Sequence, residues 1–219
     1  MDHAEQSGSP WSELSAVYDR QLRLERRAVA KAVDLARAGP GEALLDAGTG
    51  TGAVLRELAA RKRRPRVAVG VDASRAMLAR VPPLPPGWRL ERAGVERLPF
   101  EAATFDVAIA SYLLHVLPSS SRQAALGELR RVLCPGGRLV IVTPVIPARA
   151  LTRPLWLALG GLARSWPRRW GGLAPLDPRP ELAAAGFRLE SAVTVRGGYY
   201  SLCVSALAPK RPPGQGTPA

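Results

Sequence analysis

Apolar and polar positions form two kinds of pattern along this chain, a helical periodicity and short continuous apolar runs. Over residues 14–37, apolar side chains recur every three or four positions among many charges, which predicts an amphipathic helix. The break at Gly39-Pro40-Gly41 is expected to end this helix. Beyond it, short and continuously apolar runs alternate with further helical segments. The runs at residues 43–45, 66–74 and 138–144 are typical of strands that are buried on both faces of a sheet.

Helices are predicted between these runs. One covers residues 54–60, and a second covers residues 74–81, where Ser74 is placed to cap the first turn. A strand over residues 105–117 passes into a loop, and the next helix is expected to end at Pro135-Gly136-Gly137. Helices that alternate with apolar strands indicate an α/β fold, in which a doubly wound, mostly parallel and Rossmann-like sheet is covered on both faces.

The C-terminal part breaks this alternation. After a helix over residues 180–185, two strand-like runs at 187–195 and 199–207 are joined by Arg196-Gly197-Gly198. Such a link is too short for a parallel crossover, so it predicts a hairpin and an antiparallel C-terminal strand. We therefore expect a single domain over residues 14–207, with a helical insertion before the last two strands. The insertion is placed at 145–178, a flexible N-terminus at 1–13 and a disordered tail at 208–219.

The chain is basic, with a formal net charge of +13 and arginine runs such as Arg61-Lys62-Arg63-Arg64. Two interpretations are open: an attraction to nucleic acid, an anionic membrane or an acidic substrate, or a solvated, arginine-biased surface. Few aromatic residues accompany the runs, which argues against stacking of single-stranded bases. Cys134 and Cys203 have no metal-like spacing, and the polar N-terminus lacks the apolar core of a signal peptide. A reducing, cytoplasmic compartment is expected.

The glycine-rich stretch "LLDAGTGTGA" is the first candidate for chemistry. Gly48, Gly50 and Ala53 satisfy a dinucleotide fingerprint, but the same turn is also a G-x-G-x-G turn behind a carboxylate, Asp46. In both interpretations Asp72, about 20 residues downstream, would hydrogen-bond ribose hydroxyls. Charge separates them, because a carboxylate at Asp46 repels a diphosphate and attracts the cationic sulfonium and ammonium groups of S-adenosylmethionine. The turn is therefore predicted to hold S-adenosylmethionine.

Five stretches, in this order, resemble the class I S-adenosylmethionine-dependent methyltransferases of the subgroup that includes ubiquinone and menaquinone biosynthesis methyltransferases. They are "LLDAGTGTG", "VGVDAS..ML", "ERLPFEAATFDVAIASYLLHVL", "LRRVLCPGGRLVIVTP" and "LAAAGF", and the resemblance covers residues 18–207. It implies that the glycine turn contacts the methionine part of the cofactor, that Asp72 holds the ribose, and that two residues pack on the adenine. The implied cofactor-binding residues are Asp46, Gly48, Thr49, Gly50, Gly52, Asp72, Ala73, Met77, Gly94, Val95, Glu96 and Ser111, with Ala73 and Met77 on the adenine.

One position departs from the family pattern. Relatives usually read G-D-A-E-x-L-P-F where this chain reads "AGVERLPF", so Gly94 stands where an aspartate commonly accepts a hydrogen bond from the adenine amino group. Backbone groups at Gly94 and Val95 can still meet the ring edge, and Glu96 matches the pattern. Loss of a charge-assisted hydrogen bond costs about 1.5–3 kcal/mol, so we expect weaker cofactor binding than in relatives.

Methyl transfer from an activated donor needs neither a metal nor a covalent nucleophile, and a base helps only where the acceptor must lose a proton. Ser111, Tyr112 and His115 follow the fourth strand, where the acceptor would lie. His115 is a candidate base, with packing or helix capping as its alternative role. Tyr18 is the second candidate, since the resemblance implies that it closes over the cofactor, and plain packing is its alternative.

The segment 145–178 is expected to select the substrate. It carries Trp156, Trp166 and Trp170 among arginines, and its apolar stretch is too short to span a bilayer. Three roles are open for it: a peripheral membrane contact through residues 151–170, a lid over an apolar acceptor such as a prenylated quinone or a lipid, or a plain cover of the sheet.

These observations predict a methyltransferase that acts on a small, apolar acceptor such as a quinone, a lipid or another secondary metabolite. An RNA methyltransferase is favoured only by the basic charge, since "ASYL" stands where such enzymes have an N-P-P-Y/F-like tetrapeptide, so nucleic acid is not the expected partner. A non-catalytic protein that binds S-adenosylmethionine is the other alternative, and Gly94 supports it. An oxidoreductase that uses NAD has the least support.

Overall fold

The computed structural model describes residues 15–146, 175–197 and 200–210, with the backbone alone for residues 15–22. Within these residues a single seven-stranded sheet has the strand order β3-β2-β1-β4-β5-β7-β6. The flexible N-terminus, most of the insertion and the tail beyond residue 210 that the sequence predicts lie outside the described residues. The strands are β1 Ala43–Ala47, β2 Val67–Asp72, β3 Trp88–Arg92, β4 Phe105–Ser111, β5 Leu133–Pro144, β6 Arg188–Val195 and β7 Ser201–Leu207.

Five helices accompany the strands in the described part of the chain, together with a 3₁₀ turn at Leu114–Val116. No helix among them combines the length and the apolar character that crossing a bilayer requires. Helix α3 has only four residues, and the Ser74 side chain caps it by accepting a hydrogen bond from the Met77 N–H at 3.3 Å, as predicted. The helices are α1 Ser15–Ala36, α2 Ala53–Ala59, α3 Arg75–Leu78, α4 Ser119–Val132 and α5 Arg179–Ala184.

The sheet is parallel except for β7, which confirms the predicted antiparallel C-terminal strand. Strands β1 to β5 pair in parallel, whereas β7 pairs antiparallel with both β5 and β6. The last strand therefore enters between its two neighbours instead of adding to the outside, and β6 forms the edge. This placement buries β7 along most of its length, since six of its seven residues are buried.

Both faces of the sheet are covered, as continuously apolar strands predict. Neighbouring residues of β1 show this directly, because Leu44 packs in one core cluster and Leu45 in the other, and both are fully buried. The cluster that contains Leu44 includes residues of α1 and α2, such as Ala32 and Leu55. The opposite cluster includes residues of α4 and α5, such as Leu129 and Leu182.

The structure differs from the sequence prediction in several elements, including the helix predicted over residues 74–81, which is limited to Arg75–Leu78. Helix α4 ends at Val132, not at Pro135-Gly136-Gly137, because Leu133 already pairs with Phe105 and the chain enters β5 with an irregular register. A side chain at Gly137 would come within 3.0 Å of the Asp106 carbonyl oxygen, so the glycine serves this close strand approach. Strand β3 was not predicted, since Trp88–Arg92 is a short, largely polar edge strand.

Helix α1 runs antiparallel to β5, which matters for the site. Near its C-terminal end, the Ala36 carbonyl accepts a hydrogen bond from Arg138 Nε at 2.9 Å, at the start of the regular parallel pairing of β5. Further back, the Ala28 carbonyl accepts from Cys203 Sγ at 3.6 Å, and Cys203 pairs with Val142 near the other end of β5. The N-terminal half of α1 therefore reaches the carboxyl edge of the sheet.

Candidate functional site

The glycine turn after β1 has a backbone that other residues would strain. Gly48, Gly50 and Gly52 have φ angles of +70°, +55° and +78°, in the left-handed region. A side chain at Gly48 would also lie 2.8 Å from a methyl group of Leu113, and one at Gly52 would lie 2.8 Å from Val81. The turn therefore brings bare backbone to the carboxyl edge of the sheet.

Asp72, at the end of β2, is held by this turn and by the start of α3. Its Oδ2 accepts a hydrogen bond from the Gly50 N–H at 2.9 Å, and its Oδ1 accepts one from the Ser74 N–H at 2.8 Å. Both carboxylate oxygens thus take a backbone donor, which orients the group before any ligand arrives. A preorganised carboxylate at this position is what the ribose role requires.

A cleft of about 320 Å³ lies where β1, β2 and β4 end. Ligands of open α/β sheets bind at this edge, where the strand order reverses. In this sheet the reversal falls between β1 and β4. The residues that line the cleft are Glu25, Gly48, Gly50, Val71, Asp72, Ala73, Ser74, Met77, Ala93, Gly94, Val95, Glu96, Ser111, Tyr112, Leu113, His115, Val116 and Leu117.

The cleft is acidic. Its lining has three carboxyl side chains, from Glu25, Asp72 and Glu96, and neither lysine nor arginine occurs among the described residues that line it. A lining of this composition disfavours a diphosphate and favours a cation. The acidic lining of the cleft differs from the rest of the chain, which carries a formal net charge of +13 overall.

Asp46 lies elsewhere than the sequence argument placed it. Its side chain is 1% exposed, accepts a hydrogen bond from Thr49 Oγ1 at 2.6 Å, and is not among the residues that line the cleft. Burial, with a smaller contribution from the nearby charge of Asp72, raises the pKa of Asp46 to about 7, against the opposing effect of the Thr49 hydrogen bond. Its charge is therefore partial at neutral pH, and the acidity of the cleft comes from other residues.

Most of the other predicted cofactor residues come together in the cleft. Gly48, Gly50 and Asp72 lie at one part of its wall, and Thr49 and Gly52 lie in the same turn without lining it. Gly94 belongs to a turn in which its carbonyl accepts from the Arg97 N–H at 3.2 Å. The remaining predicted residues that line the cleft are Ala73, Met77, Gly94, Val95, Glu96 and Ser111.

His115 lines the cleft as a neutral imidazole. It is 8% exposed, and burial lowers its pKa to about 3, so it is a weak proton acceptor at physiological pH. Its Nδ1 has no hydrogen-bond partner in the described part of the protein. The neighbouring Tyr112 packs edge-on against it, with ring centroids 6.0 Å apart. A ligand atom in the cleft is a natural partner for this buried nitrogen.

The sequence gives no indication of one of the three carboxyl groups that line this cleft. Glu25 is 4% exposed and comes from α1, whose N-terminal half reaches the carboxyl edge of the sheet. In the sequence it is one of many charged positions in an amphipathic helix, with no motif around it. Tyr18 belongs to the same helix, and its side chain lies outside the described part of the structure.

Comparison with known proteins agrees with this geometry. Residues 44–137 match the family model described as a methyltransferase domain. This match assigns residues 44–137 to a methyltransferase domain. The chain is 44% identical over 169 residues to the ubiquinone/menaquinone biosynthesis C-methyltransferase UbiE of Syntrophotalea carbinolica, covering 73% of this chain and 64% of that protein. The UbiE protein of Geobacter sulfurreducens is 38% identical over 159 residues, covering 67% and 60%.

The methyltransferase domain is also similar to solved structures. The N-methyltransferase NodS of Bradyrhizobium japonicum matches with a TM-score of 0.64 at 16% identity, over 86% of this chain and 98% of that chain. This likeness shows the fold alone. The chain spans about three fifths of the length of the two UbiE relatives. Family and fold together imply S-adenosylmethionine as the cofactor, and the acidic cleft with its oriented Asp72 fits that cationic nucleoside.

Proposed function

We propose that this protein transfers a methyl group from S-adenosylmethionine to a small, apolar, quinone-type acceptor. The observation that carries the proposal is the cleft at the carboxyl edge, lined by three carboxyl groups and by no basic side chain of the described residues. When bound, the cofactor supplies a methyl group on a positively charged sulfur, so the protein has to bind, orient and exclude water.

Different residues of the chain would contact different parts of the cofactor. Asp72, held by two backbone N–H groups, would accept from the ribose hydroxyls. Ala73 and Met77 would pack on the adenine, with Gly94 and Val95 at its edge. The backbone of the glycine turn would contact the methionine part. Glu25 would supply the negative charge for the ammonium group, in place of the buried Asp46.

The acceptor would lie beside the 3₁₀ turn that follows β4. Leu113, Val116 and Leu117 make this part of the cleft apolar, and His115 and Tyr112 add polar atoms. His115 would orient an acceptor oxygen by hydrogen bonding, since its low pKa disfavours a role as a base in the free protein. The UbiE relatives, named for ubiquinone and menaquinone biosynthesis, support a quinone as the acceptor class.

The insertion is proposed to cover the acceptor. Its two ends meet at the carboxyl end of β5, where the Leu176 N–H donates to the Pro144 carbonyl at 3.0 Å and Thr143 Oγ1 donates to the Leu176 carbonyl at 2.8 Å. The chain thus leaves and rejoins the sheet at the edge that carries the cleft. A peripheral membrane contact through residues 151–170 remains part of this proposal, supported by the tryptophans and arginines of that stretch.

Calorimetry with four ligands tests the cofactor assignment. The wild-type protein should bind S-adenosylmethionine and S-adenosylhomocysteine, bind 5′-methylthioadenosine more weakly, and leave NAD unbound. Asp72→Ala should weaken all three adenosine ligands by about tenfold or more, because each carries the ribose. Glu25→Gln should weaken only the two ligands with an ammonium group. Glu101→Ala, which removes an exposed acid outside the cleft, is the control and should change nothing.

The outcomes separate the parts of the proposal. Preference for NAD would overturn the cofactor assignment, whereas an equal effect of Glu25→Gln on 5′-methylthioadenosine would overturn the ammonium role alone. Methyl transfer is then measured by mass spectrometry with demethylated naphthoquinols and with total RNA as acceptors. Product on RNA only would replace the quinone by the RNA alternative, and cofactor binding without product on any acceptor would favour a non-catalytic protein.

A further inference from the structure

A second cavity, of about 300 Å³, lies between α1 and α2. It has no lining residue in common with the cofactor cleft. Its charge is also opposite, since three of its six lining residues are arginines and one is an acid. The lining residues are Arg23, Arg26, Val29, Ala53, Arg56 and Glu57.

The acid of this cavity does not balance its arginines. Glu57 Oε1 lies 2.8 Å from Arg61 Nη2, and the same arginine nitrogen lies 3.0 Å from Asp34 Oδ1. A fourth guanidinium therefore already shares the charge of Glu57, and the cavity keeps an excess of positive charge. Like charges gathered around one cavity repel each other, and a bound anion would relieve that repulsion.

The three arginines are arranged to act together. Arg23 and Arg26 are three positions apart on α1 and so lie on the same side of that helix. Arg56, on α2, donates from Nη1 to the Thr51 carbonyl at 2.8 Å, which restricts its guanidinium. Val29 is buried and forms an apolar part of the wall, while the three arginines are exposed and accessible from solvent.

We propose that Arg23, Arg26 and Arg56 form an anion site that binds a phosphate group. Guanidinium groups match phosphate oxygens with paired N–H donors, which is why arginine is preferred where phosphate is recognised. The volume, at the low end for ligand pockets, suits a phosphate or diphosphate with a few waters. The phosphate belongs either to a soluble compound or to a lipid headgroup. The site shares no lining residue with the cofactor cleft, so the two can be tested separately.

The test compares two double variants of the full chain with equal loss of charge. Arg23→Gln/Arg26→Gln removes two members of the site, and Arg89→Gln/Arg188→Gln removes two exposed arginines outside it. Binding of inorganic phosphate and pyrophosphate is measured by calorimetry, and retention on phosphatidylglycerol or phosphatidylcholine vesicles is measured by co-sedimentation. S-adenosylhomocysteine binding, unchanged in both variants, verifies that they are folded.

We expect the site variant to lose at least about tenfold in affinity for the phosphate probe, and the control pair to lose less than about twofold. Retention on phosphatidylglycerol vesicles that only the site variant loses identifies a lipid phosphate. Pyrophosphate or phosphate binding that only the site variant loses, without vesicle retention, identifies a soluble ligand. Equal losses in the two variants, or a wild-type protein that binds none of the probes, would overturn the proposal.

Discussion

At the scale of single residues, burial decides what an ionisable group contributes. Asp46 and His115 both lie near the carboxyl edge, and burial moves the pKa of the acid up to about 7 and that of the base down to about 3. Both changes favour the neutral form. The sequence predicts a full negative charge on Asp46 at the site, whereas the carboxyl side chains that line the cleft are those of Glu25, Asp72 and Glu96.

The two buried groups should change stability with pH in opposite directions. Asp46 binds its proton more tightly in the folded protein than in the unfolded chain, so its contribution falls as pH rises from about 4 to 7. His115 binds its proton less tightly when folded, so its contribution rises with pH from about 3 to 6.5. In the wild-type protein the two effects nearly cancel over their shared range.

Replacing either residue alone should reveal the pH-dependent contribution of the other to the free energy of unfolding. The unfolding free energy of Asp46→Asn relative to wild type should increase as pH rises from 4 to 7. Between pH 4 and pH 8 this relative increase should be on the order of 2–4 kcal/mol. His115→Gln should show the reverse trend and gain as pH falls below about 6.5. Urea unfolding over a pH series measures both differences.

Asp34→Asn, which neutralises an acid whose side chain is 53% exposed, is the control for the loss of one negative charge. If the difference in unfolding free energy between Asp46→Asn and wild type stayed constant from pH 4 to 7, the pKa of the Asp46 carboxyl group would not be raised in the folded protein. The difference curves matter more than the wild-type curve, because the remaining titratable groups contribute equally to each protein.

At the scale of elements, the sequence predicted type and order well and boundaries less well. Strands β1, β2 and β5 follow from continuous apolar runs, and the hairpin of β6 and β7 follows from a short glycine link. Strand β3 and the end of α4 were missed, because pairing with a neighbouring strand decides them and local propensity does not. The chain also turns at residues that local preference would not choose: Tyr112 and Ala103 have φ angles of +54° and +55°.

The turn before β4 offers a test of this strain. Ala103→Gly should raise the free energy of unfolding by about 0.5–1 kcal/mol, because glycine adopts a positive φ without the cost that alanine carries. Ala103 is exposed, and its N–H donates to the Arg131 carbonyl at 3.0 Å, which glycine preserves. Thermal and urea unfolding measure the gain.

The neighbouring alanine supplies the matched control. Ala102 is exposed as well and has no positive φ, so Ala102→Gly should lower stability by a similar amount through the greater freedom of the unfolded chain. The same sign for both substitutions would contradict the explanation by backbone strain.

At the scale of the whole molecule, function depends on how α1 is laid across the sheet. Its C-terminal end is attached at the amino edge, where Arg138 donates to the Ala36 carbonyl and also pairs with Glu42 Oε1 at 2.6 Å. Glu42 Oε2 in turn accepts from the Gly39 N–H at 2.8 Å. With this end attached, Glu25 lies about 16 Å back along the helix, at the rise of an α-helix, and so reaches the cleft at the carboxyl edge.

Glu42→Gln should weaken this attachment. The amide can still accept from Gly39, but it loses the charge that Arg138 faces, so we expect a loss of about 1–2 kcal/mol in the free energy of unfolding. Burial opposes ionisation of Glu42, yet the hydrogen bonds from Gly39 and Arg138 lower its pKa overall. Its contribution is therefore lost as pH falls through the lowered value.

A second ion pair between the end of α1 and the sheet provides the comparison. Arg37 and Glu190 are 3.5 Å apart, and the Arg37 side chain is 66% exposed. Glu190→Gln should therefore cost less than about 0.5 kcal/mol in urea unfolding at neutral pH. Equal losses for the two substitutions would show that the Glu42 pair adds nothing beyond a surface contact.

The sequence by itself determined the parallel sheet, its antiparallel last strand, the glycine turn and the place of Asp72 at the end of a strand beside that turn. These features follow from local periodicity and from residues close together along the chain. Only the tertiary structure decided which carboxyl groups line the cleft. Glu25 is brought to the cleft by a helix that crosses the sheet, and Asp46, despite its place in the motif, is buried and is not among the lining residues. The physical reason is that solvation and charge depend on neighbours that are distant in sequence.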